Sequence, residues 1–580
     1  MAITNLKTPG VYIEEVSVLP ASVVAVPTAI PAFIGYTEKG PLNKSTRIES
    51  LPEFETIFGG AFKEKFEVDL ADATPPVVTP KSATTDKLSP YTLYYHLQMF
   101  YANGGGTCYV VAADHYNTAT TTITIDEQKL VDGIANVEET DEVTLLLAPE
   151  AVKITSGEAD IKKVYDALLT QCSKLKDRFA LMDVLERNVS VNDDATQFRN
   201  QNVGANNLNY GAAYYPYLNT VLEHRYNDGD VLIDDNRGTP VYTLAPNDRL
   251  ATVLQGKGVY TSFDVTGNPD PGDNVNITAL GSNTILVAGV DFTETGTVDD
   301  VARSIVNAVH SHPVLSLVAR AQLDTGNPST LFIVTRNGST TTSELTVSVV
   351  GAPAWTTTPV AVAPGAVNSQ DTGLYYSIKS RIAIINGVTL GPSGTMAGIY
   401  AAVDNSRGVW KAPANVGVAN IIGPDISVTE AQQAGLNVDA TSGKSINAIR
   451  TFTGRGTLVW GARTLEGNSN EWRYVPVRRL FIMAEESIKK ATEFVVFEPN
   501  DMNTWIRLKG MINNFLTDLW RQGALAGSKP DQAFFVQVGL GETMTAQDIL
   551  EGRCIITIGM AAVRPAEFII LKFMHKLQEI

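Results

Sequence analysis

The residues best placed to do chemistry are Ser442-Gly443-Lys444-Ser445, which read like the end of a phosphate-binding loop. Such a loop cradles phosphate with backbone N–H groups and needs a further glycine, five residues before Gly443, to close the turn. Val438 stands there, so nucleotide binding is not the expected use. Gly454-Arg455-Gly456 lacks the third glycine of a dinucleotide fingerprint and reads as a tight turn. Gly391-Pro392-Ser393-Gly394-Thr395 misses the nucleophile elbow by one position. Of the histidines, His310 and His312 lie close together, but no cysteine or carboxylate shares a metal-type spacing with them. They read as a polar helix end before Pro313. Cys108, Cys172 and Cys554 are too scattered for a disulfide framework or a zinc site, and read as buried thiols of a reducing compartment. No catalytic, cofactor-binding or metal-binding residue is assigned, and the chain is read as a non-enzyme.

The chain has 580 residues, room for three to five domains, and a net charge of −17. An acidic balance argues against nucleic acid as the main partner, because phosphate is neutralised by Lys and Arg. Charged residues are 18% of the chain and apolar ones 44%, which leaves room for large subunit-facing surfaces. Met1 to Val11 does not read as a secretory signal. No apolar run approaches the ~20 residues of a membrane span, so membrane insertion is not expected and the chain is read as made and folded in the cytoplasm.

The elements follow from pattern. Ala32–Gly35, Cys108–Ala113, Val143–Ala148 and Phe179–Val184 are short apolar strands, alternating with helices at Leu93–Tyr101 and Asp160–Lys174. This reads as an α/β domain over 32–219. Residues 220–372 turn rich in Thr, Val, Asn and Gly, with strand-like runs around one helix at 298–310, and read as an inserted β-rich domain. The α/β character returns over 373–565, with helices at Met396–Asn405, Val477–Ala491 and Thr504–Arg521. Strands are expected at 493–497, 533–538 and 553–558, and Thr545 and Gly552 cap a short helix. The fold class is mixed α/β.

Both chain ends read as strands detached from these domains. Residues 1–31 open with Val11, Tyr12, Ile13, Val16 and Val18, followed by Pro20, Pro27 and Pro31. Residues 566–580 carry Phe568, Ile569, Ile570, Leu571 and Phe573 after Pro565. An unpaired strand leaves its backbone N–H and C=O groups unsatisfied. Each arm either folds back on its own domain or adds to a neighbour's sheet edge, and the second arrangement builds rings or helical polymers.

The same residues carry a family resemblance. Thr8-Pro9-Gly10-Val11-Tyr12-Ile13-Glu14-Glu15, Arg407-Gly408-Val409-Trp410-Lys411-Ala412-Pro413-Ala414 and the run from Arg455 to Thr464 resemble the tail sheath proteins of contractile phage tails and related injection systems. So do the run from Glu471 to Leu480, Phe497-Glu498-Pro499-Asn500, the run from Leu519 to Leu525, and Val563-Arg564-Pro565-Ala566-Glu567-Phe568. The likeness is dense from Gly394 onward, moderate over 8–220 and absent from the insertion.

The resemblance implies stacked hexameric rings of this chain around an inner tube protein, with baseplate and tail-terminator or cap proteins as further partners. It implies N- and C-terminal arms that complete neighbours' sheets, an insertion on the outside, and contraction from a metastable extended state without a cofactor. It places the tube contact in the inner domain, for which Arg507, Lys509 and Arg521 on the 504–521 helix are candidates, while Trp505 and Trp520 read as core. Arg407, Arg455, Arg478 and Arg479 read as structural ion pairs. A static surface array built on the insertion, or a hydrolase using Gly443-Lys444-Ser445, are the alternatives.

Overall fold

A computed structural model describes residues 23–571 except 72–74, 82–86, 118–122, 188–189, 236–247, 254–259, 266–269, 272, 280–281, 294, 296, 324–329, 336–344, 351–354 and 359–371. The first α/β segment contains β1 (Pro31–Thr37), α1 (Leu93–Ala102), β2 (Cys108–His115), α2 (Glu127–Asn136), β3 (Leu145–Leu147), α3 (Glu158–Leu175), β4 (Phe179–Asp183) and β5 (Gly211–Tyr215). Its strands are short and apolar because both faces are covered. β1, β3, β4 and β5 are buried along their whole length. α3 buries Ile161, Val164, Leu168, Leu169 and Cys172, one stripe at helical spacing.

The second half of the chain completes this sheet. After α4 (Ser393–Arg407) come β6 (Ile446–Phe452) and β7 (Gly456–Val459), and β6 pairs in parallel with β5. The full order is Thr46–Ile48, β2, β1, β3, β4, β5, β6, β7, Val416–Gly417, with antiparallel pairs at both edges. The domain boundary expected at 373 therefore moves: residues 387–465 pack into the first hydrophobic core, because the sheet needed its sixth parallel strand from beyond the insertion.

The insertion is also shorter than its composition suggested. Leu218–Glu223 pairs with Gly387–Leu390, and Val231–Asp235 pairs with Phe66–Leu70, so these residues belong to the neighbouring layers. A separate core begins at Val265 and includes Val275, Ile277, Val301, Ile305, Leu331 and Ile333. Two antiparallel sheets and the helix Val298–Ser311 supply it.

The C-terminal body contains α5 (Val475–Thr492), α6 (Met502–Arg521), β8 (Phe534–Gln537) and β9 (Thr557–Met560), packed around Leu480, Met483, Leu508, Ile512, Phe515 and Leu516. The strand expected at 493–497 is a 3-10 turn, Glu493–Val495, because it continues directly from α5 and finds no partner. The strand expected at 553–558 lies at 557–560, and Thr545 caps the short helix through a reciprocal bond with Asp548.

Candidate functional site

The residues that could have been catalytic are held in structural roles. Lys444 is buried, and its ammonium donates to the carbonyl oxygens of Arg199 and Val203 (2.9 Å for the latter). The loop leads into a strand, β6, and not into a helix N-terminus, so it has no dipole to offer a phosphate. Gly454 and Gly456 take φ of +75° and +74° in the β6–β7 hairpin, the tight turn expected there. His312 accepts from the backbone of Leu315 at 3.2 Å, closing the end of its helix.

In open parallel sheets a ligand enters between strand ends where the connections diverge. Here that crevice lies between β1 and β3, and the chain's own Glu150 fills it. Its carboxylate accepts from the backbone N–H of Tyr36 (2.7 Å) and, at the N-terminus of α1, of Thr92 (2.6 Å) and Leu93 (3.0 Å). A Cβ on residue 35 would stand 2.7 Å from that carboxylate, which is why Gly35 is there. Asp183 does the same for α4, accepting from the N–H and Oγ of Ser393 at 2.6 Å each. Ser393 is thus a buried donor to Asp183. Burial pushes both carboxyls up to about 7 against the pull of these hydrogen bonds.

The C-terminal body offers a different kind of site. β8 and β9 form a two-stranded antiparallel sheet. Apart from a bridge between Leu525 and Ala562, neither strand has another neighbour among the described residues. Such a ribbon is marginal unless more strands or a packed helix support it, and α6 packs on one side through Leu508, Ile512 and Phe515. After Val563 the chain leaves this body. Phe568, Ile569, Ile570 and Leu571 form no strand with their own molecule and are 71%, 79%, 81% and 72% exposed. Phe573 lies outside the described residues, as do Val11, Tyr12, Ile13, Val16 and Val18.

Both arms are pinned at their roots by arginines. At the C-terminal root, Glu567 accepts from Arg463 Nε (3.0 Å) and Nη2 (2.6 Å), Asn437 Nδ2 (2.6 Å) and Tyr474 Oη (3.0 Å). Burial pushes its carboxyl up, and the bonds from Arg463 and Asn437 outweigh that, holding it below the usual carboxylate range. At the N-terminal root, the Arg479 guanidinium donates to the Thr28 carbonyl (2.7 Å) and to both oxygens of Asp404 (3.0 and 2.6 Å). Thr28 Oγ1 also donates to Asp404, and the Val26 N–H donates to Ser487 Oγ at 3.0 Å.

Of the other arginines, Arg478 lies over Tyr210 and Trp472 and donates to Tyr210 Oη at 2.8 Å, with a looser ion pair to Glu485 at 3.5 Å. Arg455 lies over Trp460 and donates to Asn415, a hydrogen bond where an ion pair was expected, because the hairpin turn faces an amide. Arg407 lines a groove of about 760 Å³ that runs past Trp410, Trp460 and the Glu567 root.

The three candidate tube contacts do not form one face. Arg507 and Arg521 are exposed on α6 and sit within about 40° of each other at ~100° per residue, whereas Lys509 is about 200° round from Arg507 and half-buried. Arg507 lies 5.5 Å from the Phe494 ring centroid and Arg521 pairs with Asp518 at 3.4 Å. Trp505 and Trp520 are half-buried, and their indole N–H groups donate to Asn500 and the Gly527 carbonyl. Sequence reasoning missed the two root clamps, since the partners of Glu567 lie 93 to 130 residues away.

Comparison with known proteins agrees with this layout. Residues 468–575 match the family model of the phage tail sheath C-terminal domain. A tail sheath protein of Vibrio phage KVP40 is 28% identical over 133 residues, a segment covering 23% of this chain and 20% of that protein's length. Over the whole chain, the sheath complex of an extracellular contractile injection system, PVC, solved in its contracted state, is 26% identical with a TM-score of 0.54, covering 99% of both chains. The contracted helical sheath of the anti-feeding prophage is 27% identical with a TM-score of 0.53, covering 99% of this chain and 100% of that one. With a C-terminal body that matches the tail sheath family model and a whole-chain fold shared with two injection-system sheaths, this chain is similar throughout its length to the tail sheath proteins of contractile injection systems.

Proposed function

We propose that the chain polymerises as stacked hexameric rings around an inner tube, and contracts from a metastable extended state to drive the tube through a target envelope. One observation carries the reading: an apolar segment, Phe568–Leu571, stands exposed and unpaired in a chain that also holds an under-completed two-stranded sheet. Donating the arm to a neighbouring copy satisfies both. Donor and acceptor surfaces differ, so the contact is heterologous and propagates into a helical polymer. In this reading Val11, Tyr12, Ile13, Val16 and Val18 form the second donated strand, with Phe573 extending the first. That PVC and the anti-feeding prophage have been seen as contracted sheaths supports a two-state lattice here. Packed interfaces switch between discrete arrangements while the donated strands keep copies linked.

The proposal further assigns residues 566–580 and 1–31 as arms, the separately cored insertion as outer decoration, and Arg507 and Arg521 as contacts to the tube, with Lys509 serving another face. Baseplate and terminator proteins are the remaining partners, assembly takes place in the bacterial cytoplasm, and the work comes from repacking with no chemical step. Among the described residues no helix is long and apolar enough to cross a membrane.

Negative-stain microscopy of the full-length chain and of a chain lacking residues 1–20 tests this. Tubes of two lengths that disappear on deletion, with folding retained, are the expected result. Flat sheets or single-state fibres would favour a static array, and assembly untouched by the deletion would sink arm donation.

A further inference from the structure

The C-terminal arm poses a register problem that its own sequence does not solve. A strand with one apolar face finds its register by burying that face, since a slip of one residue turns every side chain over. Phe568, Ile569, Ile570 and Leu571 are apolar at odd and even positions alike, so alternation specifies neither face. Something outside the strand must decide which residue meets which on the acceptor.

Among the described residues, the one immediately before this run is the most tightly held group of the tail. The Glu567 carboxylate accepts from four donor groups on three side chains, Arg463, Asn437 and Tyr474. The Arg463 side chain is 5% exposed and that of Glu567 21% exposed. Charge-assisted bonds of this kind are shorter and stronger than neutral ones, and the two-pronged arginine contact also fixes direction. None of the three partners belongs to β8 or β9. Asn437 ends the helix Glu430–Asn437 beside the main sheet, and Tyr474 precedes α5. The last backbone bond of the tail to the C-terminal body is Val563 N–H to the Ala524 carbonyl at 3.1 Å. Residues 564–566 then bridge to the clamp, with Pro565 restricting the path.

We propose that Glu567 is the positioning residue of the C-terminal arm: the clamp with Arg463, Asn437 and Tyr474 fixes where and in which rotation Phe568 leaves the molecule, so every copy offers its strand in one register. The inference rests on the arm-donation reading above and names the device that makes donation uniform. Pinning the root also removes part of the ordering cost that a free tail would meet on docking.

The test uses the full-length chain with Glu567→Ala, Glu567→Asp and, as a control, a chain ending at Glu567. Three quantities are read: thermal melting of the unassembled subunit, the fraction of protein in sedimenting tubes, and the sharpness of layer lines in diffraction from tube images. Glu567→Ala, which leaves the buried Arg463 guanidinium without its carboxylate, should lower melting somewhat but cut the tube fraction by about tenfold or more, well beyond what that fall in melting accounts for, with the residual tubes giving blurred layer lines. Glu567→Asp, which keeps the charge at shorter reach, should restore part of both. Tubes of normal yield and order in Glu567→Ala overturn the proposal. A fall in melting temperature that tracks the loss of tubes in both variants also overturns it, since the clamp would then only support the fold. If the chain ending at Glu567 still builds ordered tubes, arm donation itself is wrong. If that chain fails and Glu567→Ala does not, donation stands and the clamp is not what sets the register.

Discussion

The main sheet closes with short edge strands, while the C-terminal body keeps its edges open. The nine-stranded sheet ends on Thr46–Ile48 at one side and Val416–Gly417 at the other, strands of three and two residues that leave little template for further pairing. The C-terminal body has two four-residue strands and, one clamp away, an exposed apolar tail. The first region is finished within one chain. In the proposed lattice the second is finished by another copy, which would put stability and assembly in different parts of the molecule and make them separable by mutation.

The largest expected effect comes from removing residues 568–580: tube formation should be lost by microscopy and sedimentation, while the melting of the unassembled subunit stays as it was. Next, breaking the buried Arg479–Asp404 pair, whose side chains are 3% and 5% exposed, strands a charge where the N-terminal root meets α5. Arg479→Ala should cost about 3–5 kcal/mol in denaturant unfolding, and a change under ~1 kcal/mol would show the pair to be dispensable. Leu516→Ala in α6 and Leu146→Ala in β3 both empty fully buried sites and should cost about 2–5 kcal/mol each. The comparison sharpens if calorimetry resolves two transitions and Leu516→Ala moves one while Leu146→Ala moves the other. A single shared shift would mean that the two bodies unfold as one.

Protonation should separate the regions more gently. Glu150 and Asp183 are raised to about 7 in the folded chain, so the unfolded state releases their protons more readily. Their contribution is present at low pH and is lost as pH rises through about 7. His96 and His224, held by burial at about 3 and 4, pull the other way below their unfolded value. Between pH 8 and 7 the carboxylates act alone, and melting of the main sheet should rise slightly on acidification. Glu567 is depressed, so the hold on the arm is present above the unfolded carboxylate value and is lost as pH falls below it. Limited proteolysis of the tail from pH 7 to 3 should accelerate at the acid end, and a flat profile would contradict the clamp. The smallest effect is at Arg521, an exposed residue paired with Asp518: Arg521→Ala should change stability by less than ~0.5 kcal/mol. If Arg521 meets the tube, its loss will show in tube retention and not in melting.

Much of the fold was legible because it is local. The apolar strands of the first segment, the amphipathic helices 158–175 and 502–521 and the Thr545 cap all follow from spacing within a few turns of chain. Where pairing was long-range, reading failed. β6 joins β5 across more than 200 residues, so the domain edge at 373 was misplaced, and the run 493–497 had strand composition but no strand to meet. The Ser393 segment resembled an elbow because a glycine and a serine were needed there, the glycine for close approach of Asp183 and the serine to donate its hydroxyl to that carboxylate at the start of α4.

The sequence alone determined the α/β layering, the absence of a complete phosphate loop and the detached, strand-like composition of both tails, since each depends on residue type and near-neighbour spacing. The tertiary structure decided that the sheet's ligand crevice is filled by Glu150, that its two halves come from either side of the insertion, and that Arg463 and Arg479 grip the arm roots. Those facts depend on which distant residues a folded chain brings within 3 Å of each other, and no local pattern in the chain encodes that.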